Sequence, residues 1–293
     1  MKKYNHIKKW FAVSDIHSYY EPLLTSLINK GFDLNDESMG LIVCGDAFDR
    51  GDDTVKVFEF LKSLASQDRL VYIRGNHEDL LEDCLYEISL GKTPGSHHFS
   101  NGTVKTICMI CGECEWIVYH PSITQIELIR DKTKELVSFI NDNCVDYFEL
   151  GDNIFVHSWI PLKDSSWSNY FRASRYSGYD ENWNADPKTL STTELILNRD
   201  RWKVARWVNP FVQWKDKNYP KDKTIVFGHW HCSEYWGTYK FERKPFPQKN
   251  SKDWLKSFEP AIDDHIIGID ACTSYSGIVN CVVFDEEGNL LND

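Results

Sequence analysis

Residues 41–51, Leu41-Ile42-Val43-Cys44-Gly45-Asp46-Ala47-Phe48-Asp49-Arg50-Gly51, decide how this chain is read. The apolar run 40–44 reads as a strand, and two carboxylates and an arginine follow at its carboxyl end. The same arrangement recurs along the sequence. The strand pattern 10–14 leads into Asp15-Ile16-His17, and 70–73 leads into Gly75-Asn76-His77-Glu78. His157 closes the pattern 154–157, and Gly228-His229-Trp230-His231 follows 224–227. Amphipathic helical patterns at 21–29, 55–64 and 78–90 accompany the first three strands, which is the βαβαβ rhythm of a helix-flanked sheet. Another helix is expected at 133–141, and further strands at 147–150, 265–269 and 278–284. The later strands are expected to be joined by turns, which makes the sheet mixed. Ligands of such sheets bind at the carboxyl ends of the strands. Because the polar clusters span residues 15 to 231, residues 1–293 are expected to fold around them as a single domain.

Composition narrows the class. The chain has 293 residues, 42% apolar and 26% charged, which is ordinary for a globular protein. No run approaches the ~20 apolar residues of a membrane helix, and the basic N-terminus precedes no apolar signal region. Neither a membrane nor a secretory role is expected. Nine cysteines, an odd number widely scattered, indicate reduced thiols and a cytoplasmic location. The net charge of −11 argues against a general nucleic-acid surface and hence against a stable nucleic-acid partner. It leaves room for an anionic substrate, because divalent ions and a few arginines reverse the sign locally.

Asp15, His17, Asp46, Asn76, His157, His229 and His231 offer oxygen and nitrogen donors without a thiolate, the mixture that hard-to-borderline divalent ions take. One carboxylate can bridge two ions ~3.5–4 Å apart, as in two-metal hydrolytic sites. Singly, each residue has an ordinary reading. A strand-end aspartate is often a helix N-cap, and Gly-Asn-His-Glu can be a turn entering a helix. Their joint occurrence at successive strand ends is what points to metal chemistry.

Asp15-x-His17, Gly45-Asp46-x-x-Asp49-Arg50-Gly51 and Gly75-Asn76-His77-Glu78 resemble the signature of the calcineurin-like metallophosphoesterases. The Gly-Asp-x-x-Asp-Arg-Gly form is similar to that of their phosphoprotein (serine/threonine) phosphatase branch. Ile73-Arg74, Phe155-Val156-His157, residues 197–201 and Ile269-Asp270-Ala271 resemble its phage and bacterial members. The resemblance implies an α/β fold, a sandwich of mixed sheets flanked by helices (αββα). It implies one ion held by Asp15, His17 and Asp46, and a second by Asp46, Asn76, His157 and His229. His77 would be the general acid, oriented by Asp49, and Arg50, Arg74 and Arg199 would grip the phosphate. These roles suit the residue types: arginine's fork matches two phosphate oxygens, and a histidine beside a carboxylate can protonate a poor leaving group. The implied nucleophile is a hydroxide bridging the two ions. One departure stands out. The phage and bacterial members follow Gly-His with Thr, whereas Gly228-His229-Trp230-His231 looks like the Gly-His-x-His of the wider superfamily. If the segment is extended, residues i and i+2 face one side, and His231 is expected to ligate the Asp15/His17 ion. The alternative is that it hydrogen-bonds a neighbouring loop or a phosphate.

Other signals carry less. Cys108-x-x-Cys111-x-x-Cys114 invites a zinc or iron–sulfur reading, but the paired two-plus-two spacing is missing. These thiols also share the face of a helix suggested by Val104, Ile107 and Ile110, where cysteine packs as a small apolar residue. Of the eleven tryptophans, Trp116, Trp202 and Trp207 read as core. Trp167, Trp183 and Trp236 read as exposed, and His97-His98 as surface. Irregular inserts are expected at about 161–190 and 232–260. The second carries Lys240, Arg243, Lys244 and Lys249 among aromatics, and loops this long are either functional or mere inserts.

The expected function is hydrolysis of phosphomonoesters, foremost phosphoserine or phosphothreonine in a phosphoprotein partner. A dinucleoside polyphosphate hydrolase and an RNA-end phosphatase are the enzymatic alternatives, and a phosphate-binding module is the non-enzymatic one. The expected cofactors are two divalent transition metal ions, manganese first, with iron or zinc as alternatives. Exhaustive chelation should abolish turnover and manganese should restore it. Asp46→Asn should be the most damaging single change, because that charge serves both ions. Full turnover by protein shown to be metal-free by mass spectrometry would remove the metal centre from the account.

Overall fold

The computed structural model describes residues 4–168, 176, 178–240, 248–249 and 251–291, without the side chains of Tyr239 and Lys240. Strict alternation of side chains organises it. In β1 (Lys9–Val13), Phe11 and Val13 enter one core while Trp10 and Ala12 enter another. β2 (Met39–Cys44) divides Leu41 and Val43 from Ile42 and Cys44 in the same way, and β3 (Leu70–Ile73) divides Leu70 and Tyr72 from Val71 and Ile73. Both faces are apolar, so both must be covered.

These strands form a six-stranded mixed sheet with β4 (Cys144–Val145) beside β3, β10 (Cys281–Asp285) antiparallel to β1, and β11 (Leu290–Leu291) at the far edge. A five-stranded sheet contains β5 (Phe148–Leu150), β6 (Asn153–Phe155), β7 (Thr224–Phe227), β8 (Ala261–Asp263) and β9 (Ile266–Gly268), in the order β5-β6-β7-β9-β8. Its middle strands are parallel and its outer pairings antiparallel. Phe155, Val226 and Ile267 meet Trp10, Ile42, Ile73 and Phe284 in the apolar layer between the sheets. The expected sandwich is therefore the observed one.

The outer layers are helical. α1 (Tyr20–Asn29), α2 (Thr54–Ser66), α3 (Asn76–Ser89), α4 (Ser96–Ser100), α5 (Thr103–Cys111) and α6 (Ile123–Asn143) precede β4, and the first sheet's outer core includes residues from most of them. The second sheet is covered by residues of α7 (Thr192–Ala205), α8 (Pro210–Lys215) and α9 (Cys232–Tyr235). Two of these overturn an expectation, since α7 and α8 lie between β6 and β7 where turns were expected. α7 is hard to read because Leu195, Ile196 and Leu197 are consecutive and exposed, which leaves no helical period. Its readable signal is the capping box of Ser191 and Glu194. The 232–260 region likewise contains α9, a π-turn at Trp236–Lys240 and a short helix at Lys252–Lys256. The basic residues Arg243 and Lys244 lie outside the described residues.

Three side-chain expectations need correction. Trp116 is 76% exposed, standing on a short surface 3-10 turn, whereas Trp183 packs under the second sheet's helical layer. His98 is fully buried at α4 and stacks on His97 at 3.9 Å. Cys108 and Cys111 are buried on α5 and Cys114 is exposed, and none belongs to a metal-capable cluster among the described residues. No described helix is long and apolar enough to cross a membrane.

Arg206, just past α7, ties the helical layers together. Its Nη1 donates to Asp79 Oδ2 at 2.9 Å and its Nη2 to Asp146, while Arg74 Nε reaches Asp79 Oδ1 at 2.7 Å. Burial pushes the Asp79 carboxyl up, but Arg206 and Arg74 outweigh it and leave the group below the ordinary value. A depressed carboxyl contributes stability above its unfolded pKa, and that contribution is lost as pH falls. Arg206→Met should therefore cost about 3 kcal/mol near pH 7 by urea unfolding, the lower end for breaking a buried pair because Arg74 remains. The gap between variant and wild type should narrow below about pH 4, and a pH-independent gap would show that packing alone is lost.

Candidate metal centre

Each donor is placed by a strand end where the backbone turns sharply. Asp15, His17, Asp46, Asp49, Arg50 and His229 all have positive φ, between 49° and 75°. Non-glycine residues in that region concentrate where the surroundings over-determine the backbone, as at functional sites. Here Glu78 supplies part of that determination. Its buried carboxylate accepts the backbone N–H groups of Gly75 (2.7 Å), Asp46 and Ala47 (both 3.1 Å), and the Tyr72 hydroxyl at 2.6 Å. The loops after β2 and β3 are thus stapled to each other by one side chain.

Asp46 lies at the centre. Its Oδ1 accepts the His77 backbone N–H at 3.0 Å and stands 3.4 Å from His157 Nε2, and its Oδ2 lies 3.8 Å from His77 Nε2. His157 Nε2 is also 2.8 Å from Asn76 Oδ1. His17 Nε2 is 3.9 Å from Asp15 Oδ1, and Asp15 Oδ2 accepts the His229 backbone N–H at 2.8 Å. Among the described residues, two groups have donor atoms within 4.8 Å of one another: His17, Asp46 and His77, and Asp46, His157 and His229. Asp46 is common to both, the geometry required of a bridging carboxylate.

The donor chemistry fits divalent ions. Nδ1–H of His17 donates to the Phe48 carbonyl (3.0 Å), Nδ1–H of His157 to that of Cys44 (2.8 Å), and the His229 ring is hydrogen-bonded to the Trp207 backbone. A backbone partner on one ring nitrogen leaves the other as a lone-pair donor, the arrangement metal-binding histidines use. Burial holds all three imidazoles below their ordinary value, well below it for His17 and His229, which favours the neutral, metal-binding form. Burial, Asp15 and Glu78 raise Asp46 well above the carboxylate range, and burial with Asp270 raises Asp15 to about 6. A dication relieves that crowding of negative charge.

His77 belongs to the first group by distance, but its Nδ1 lies 2.7 Å from Asp49 Oδ2, and Arg50 Nη2 lies 3.5 Å from its Nε2 and 3.4 Å from Asn101 Oδ1. Asp15, His17, Asp46, Arg50, Asn76 and His77 share the lining of a cavity of about 260 Å³. Arg74 and Arg199 are not brought to it, contrary to expectation. They line a separate charged cavity, where the Arg74 guanidinium is committed to Asp79 and Glu82. His231 reaches the cavity rim, but its side chain is 52% exposed and its Nε2 lies 3.8 Å from Asp270 Oδ2, outside both donor groups. The premise that placed it fails, because His229 is left-handed and Trp230 N–H returns to the Gly228 carbonyl at 2.7 Å. A turn, not an extended segment, separates the two histidines, so alternation does not apply.

The sequence assigned no role to Glu78, Asp270 or Asn101, and Trp207, read there as core, lines the cavity with Asn101 and Asp270. Asp270 is 2% exposed at the end of the last strand of the second sheet's parallel set, and burial pushes it up to about 7. Its position after an apolar strand was the available signal; Asn101 has none.

The glycines of the motifs are required by space. A Cβ on Gly75 would stand 2.2 Å from Asp46 Oδ1 and 2.6 Å from Asp46 N. One on Gly45, whose φ is +84°, would stand 2.3 Å from His157 Nδ1. Gly75→Ala should therefore displace Asp46, lowering stability by about 1–3 kcal/mol and weakening metal binding at both positions together. Calorimetric titration that finds a single weakened site would contradict the shared role of Asp46.

The sequence profile of calcineurin-like phosphoesterases matches residues 9–268. The symmetrical bis(5'-nucleosyl)-tetraphosphatase of Photorhabdus laumondii is 24% identical over 260 residues, covering 78% of this chain and 85% of that protein. The same enzyme from Proteus mirabilis is 24% identical over 244 residues with the same coverage. Among solved structures, a cold-active protein tyrosine phosphatase aligns over 97% of this chain and 78% of its own, with a TM-score of 0.50 and 16% identity, which speaks to fold alone. The chain belongs to the calcineurin-like phosphoesterase family and is a metal-dependent hydrolase of phosphate esters.

Proposed function

We propose that the enzyme is a phosphomonoesterase acting on phosphoserine or phosphothreonine. The observation that carries this reading is the contact of His77 with Asp49 at 2.7 Å, beside Arg50 and next to Asp46, the residue common to both donor groups. In this reading Asp15, His17 and Asp46 hold one ion and Asp46, Asn76, His157 and His229 the other. When bound, the ions supply an acidified water as nucleophile and a Lewis-acid pull on the phosphate oxygens. Arg50 takes phosphate oxygens at the cavity mouth. With Nδ1 engaged by Asp49, His77 presents Nε2 to the cavity and delivers its proton to the departing oxygen, and Asp49 stabilises the imidazolium beforehand. An alkoxide is a poor leaving group that needs this proton, whereas a phosphate leaving from an anhydride needs it far less. That difference favours a serine or threonine ester.

A second reading, a dinucleoside polyphosphate hydrolase, has its own observation. A shallow cavity of about 610 Å³ adjoins the metal cavity, shares Trp207, His229 and His231 with it, and adds Trp230. Indole walls suit stacking of a base, and the two bacterial relatives carry the name of such an activity. We read residues 1–293 as one catalytic domain, because the site gathers residues from both sheets. Manganese is the metal we expect to activate it in vitro. Nine free thiols among the described residues support a reducing, cytoplasmic setting.

His77→Asn should lower kcat on alkyl phosphates ~10²–10⁴-fold with normal metal content, and much less on p-nitrophenyl phosphate, whose leaving group needs little protonation. Equal losses on both would deny His77 the role of acid. On wild type, kcat/KM should be highest for a phosphopeptide when compared with diadenosine tetraphosphate and a phosphate-ended oligonucleotide. A preference for diadenosine tetraphosphate would replace the first reading with the second.

A further inference from the structure

Asp49 does not face His77 unaided. Its carboxylate is 1% exposed and accepts three hydrogen bonds. Oδ2 receives His77 Nδ1–H at 2.7 Å and the Thr103 hydroxyl at 2.9 Å, and Oδ1 receives the Thr106 hydroxyl at 2.7 Å. The Thr106 hydroxyl oxygen also accepts the Asp49 backbone N–H at 3.0 Å, closing a ring between the main chain and side chain of the same aspartate. Both threonines are buried, and they lie three residues apart in the first turns of α5, on one helical face. α5 is itself packed against α2, α3 and α6, and the neighbouring Lys105 ammonium donates to the Arg50 carbonyl at 2.9 Å.

We propose that Thr103 and Thr106 are positioning residues of the reaction: through Asp49, they fix the direction in which His77 presents Nε2 to the leaving oxygen. The terminal torsion of an aspartate is broad and two-fold, so a carboxylate with one partner can swing and take the imidazole with it. With both oxygens tied to one rigid helix, and the backbone N–H tied to the same hydroxyl, that rotation is closed. Buried hydroxyls need partners in any case, but Thr106 has the preceding turn's carbonyls within helical reach and still bonds Asp49. Spending both hydroxyls on one carboxylate 54 and 57 residues away is a specific arrangement. The inference rests on His77 being the acid proposed above.

The test uses the metal-loaded enzyme and a series of phosphomonoesters graded by leaving-group basicity. The variants are Thr103→Val, Thr106→Val and their combination, which keep shape and lose the hydroxyl, with Thr103→Ser and Thr106→Ser as hydroxyl-retaining controls. The double valine variant should lose roughly 10–100-fold in kcat on alkyl phosphates, the same range as for outer partners that orient metal-bound imidazoles. Its turnover of p-nitrophenyl phosphate should stay within about 3-fold, its metal content should be unchanged, and the plot of log kcat against leaving-group pKa should steepen. The serine variants should restore the wild-type slope. Parallel losses on all esters, an unchanged slope, or failure of serine to rescue would overturn the assignment. Should the double variant not fold, the single variants carry the same comparison. A steepened slope in His77→Asn with none in the threonine variants sinks this inference and leaves the acid in place. No steepening in His77→Asn sinks both.

Discussion

Asp46 is 1% exposed, and burial first, then the charges of Asp15, Glu78 and Asp49, raise its carboxyl well above the ordinary range. Anionic side chains packed this closely out of water repel one another, and an interior of low polarity screens that repulsion poorly. The rest of the structure answers to this crowding. Backbone N–H groups are turned toward the carboxylates, and burial favours the neutral form of His17, His157 and His229 beside them.

Turning the backbone that way uses unusual conformations. The left-handed residues sit at the junctions after β1, β2 and β7, and the close approach of Gly45, Gly75 and Asp46 leaves no room for side chains. Glu78 holds three of the N–H groups involved, from the first turn of the helix that also presents Asn76 and His77. The apolar layer between the sheets supplies the rigidity behind these turns. It fixes the strand ends relative to one another through Ile42, Ile73, Phe155 and Val226 rather than through the site itself.

The helices contribute unequally. α3 carries catalytic candidates directly and α5 orders Asp49 from behind, while the residues just past α7 reach the site through Trp207 beside His229 and brace α3 through Arg206 on Asp79. The charged cavity around Arg74, Arg199 and Arg206 is thus a structural junction between α3 and α7. This accounts for an arginine next to the Gly-Asn-His-Glu run that does not face the metal cavity.

Much of this was legible in the chain itself. Apolar runs with period-two alternation marked the strands, and carboxylates, imidazoles and glycines immediately after them marked the donors. The reason is local: a strand end places its next residues within a few ångströms of where the strand stops, so the strands alone set where Asp15, Asp46, Asn76, His157 and His229 stand. What depended on long-range packing was hidden. Arg74 follows its strand as faithfully as Asp46 does, yet Asp79 and Glu82 on the next helix take its guanidinium. His231 has suitable spacing, but the backbone turn at His229 sends it to the rim. Thr103, Thr106 and Asn101 belong to no motif, because what places them at Asp49 and Arg50 is the docking of a helix some fifty residues away. Local sequence decides which chemical groups stand at a strand end. Only the tertiary structure decides which opposite charges reach them first, since that depends on what the rest of the chain packs alongside.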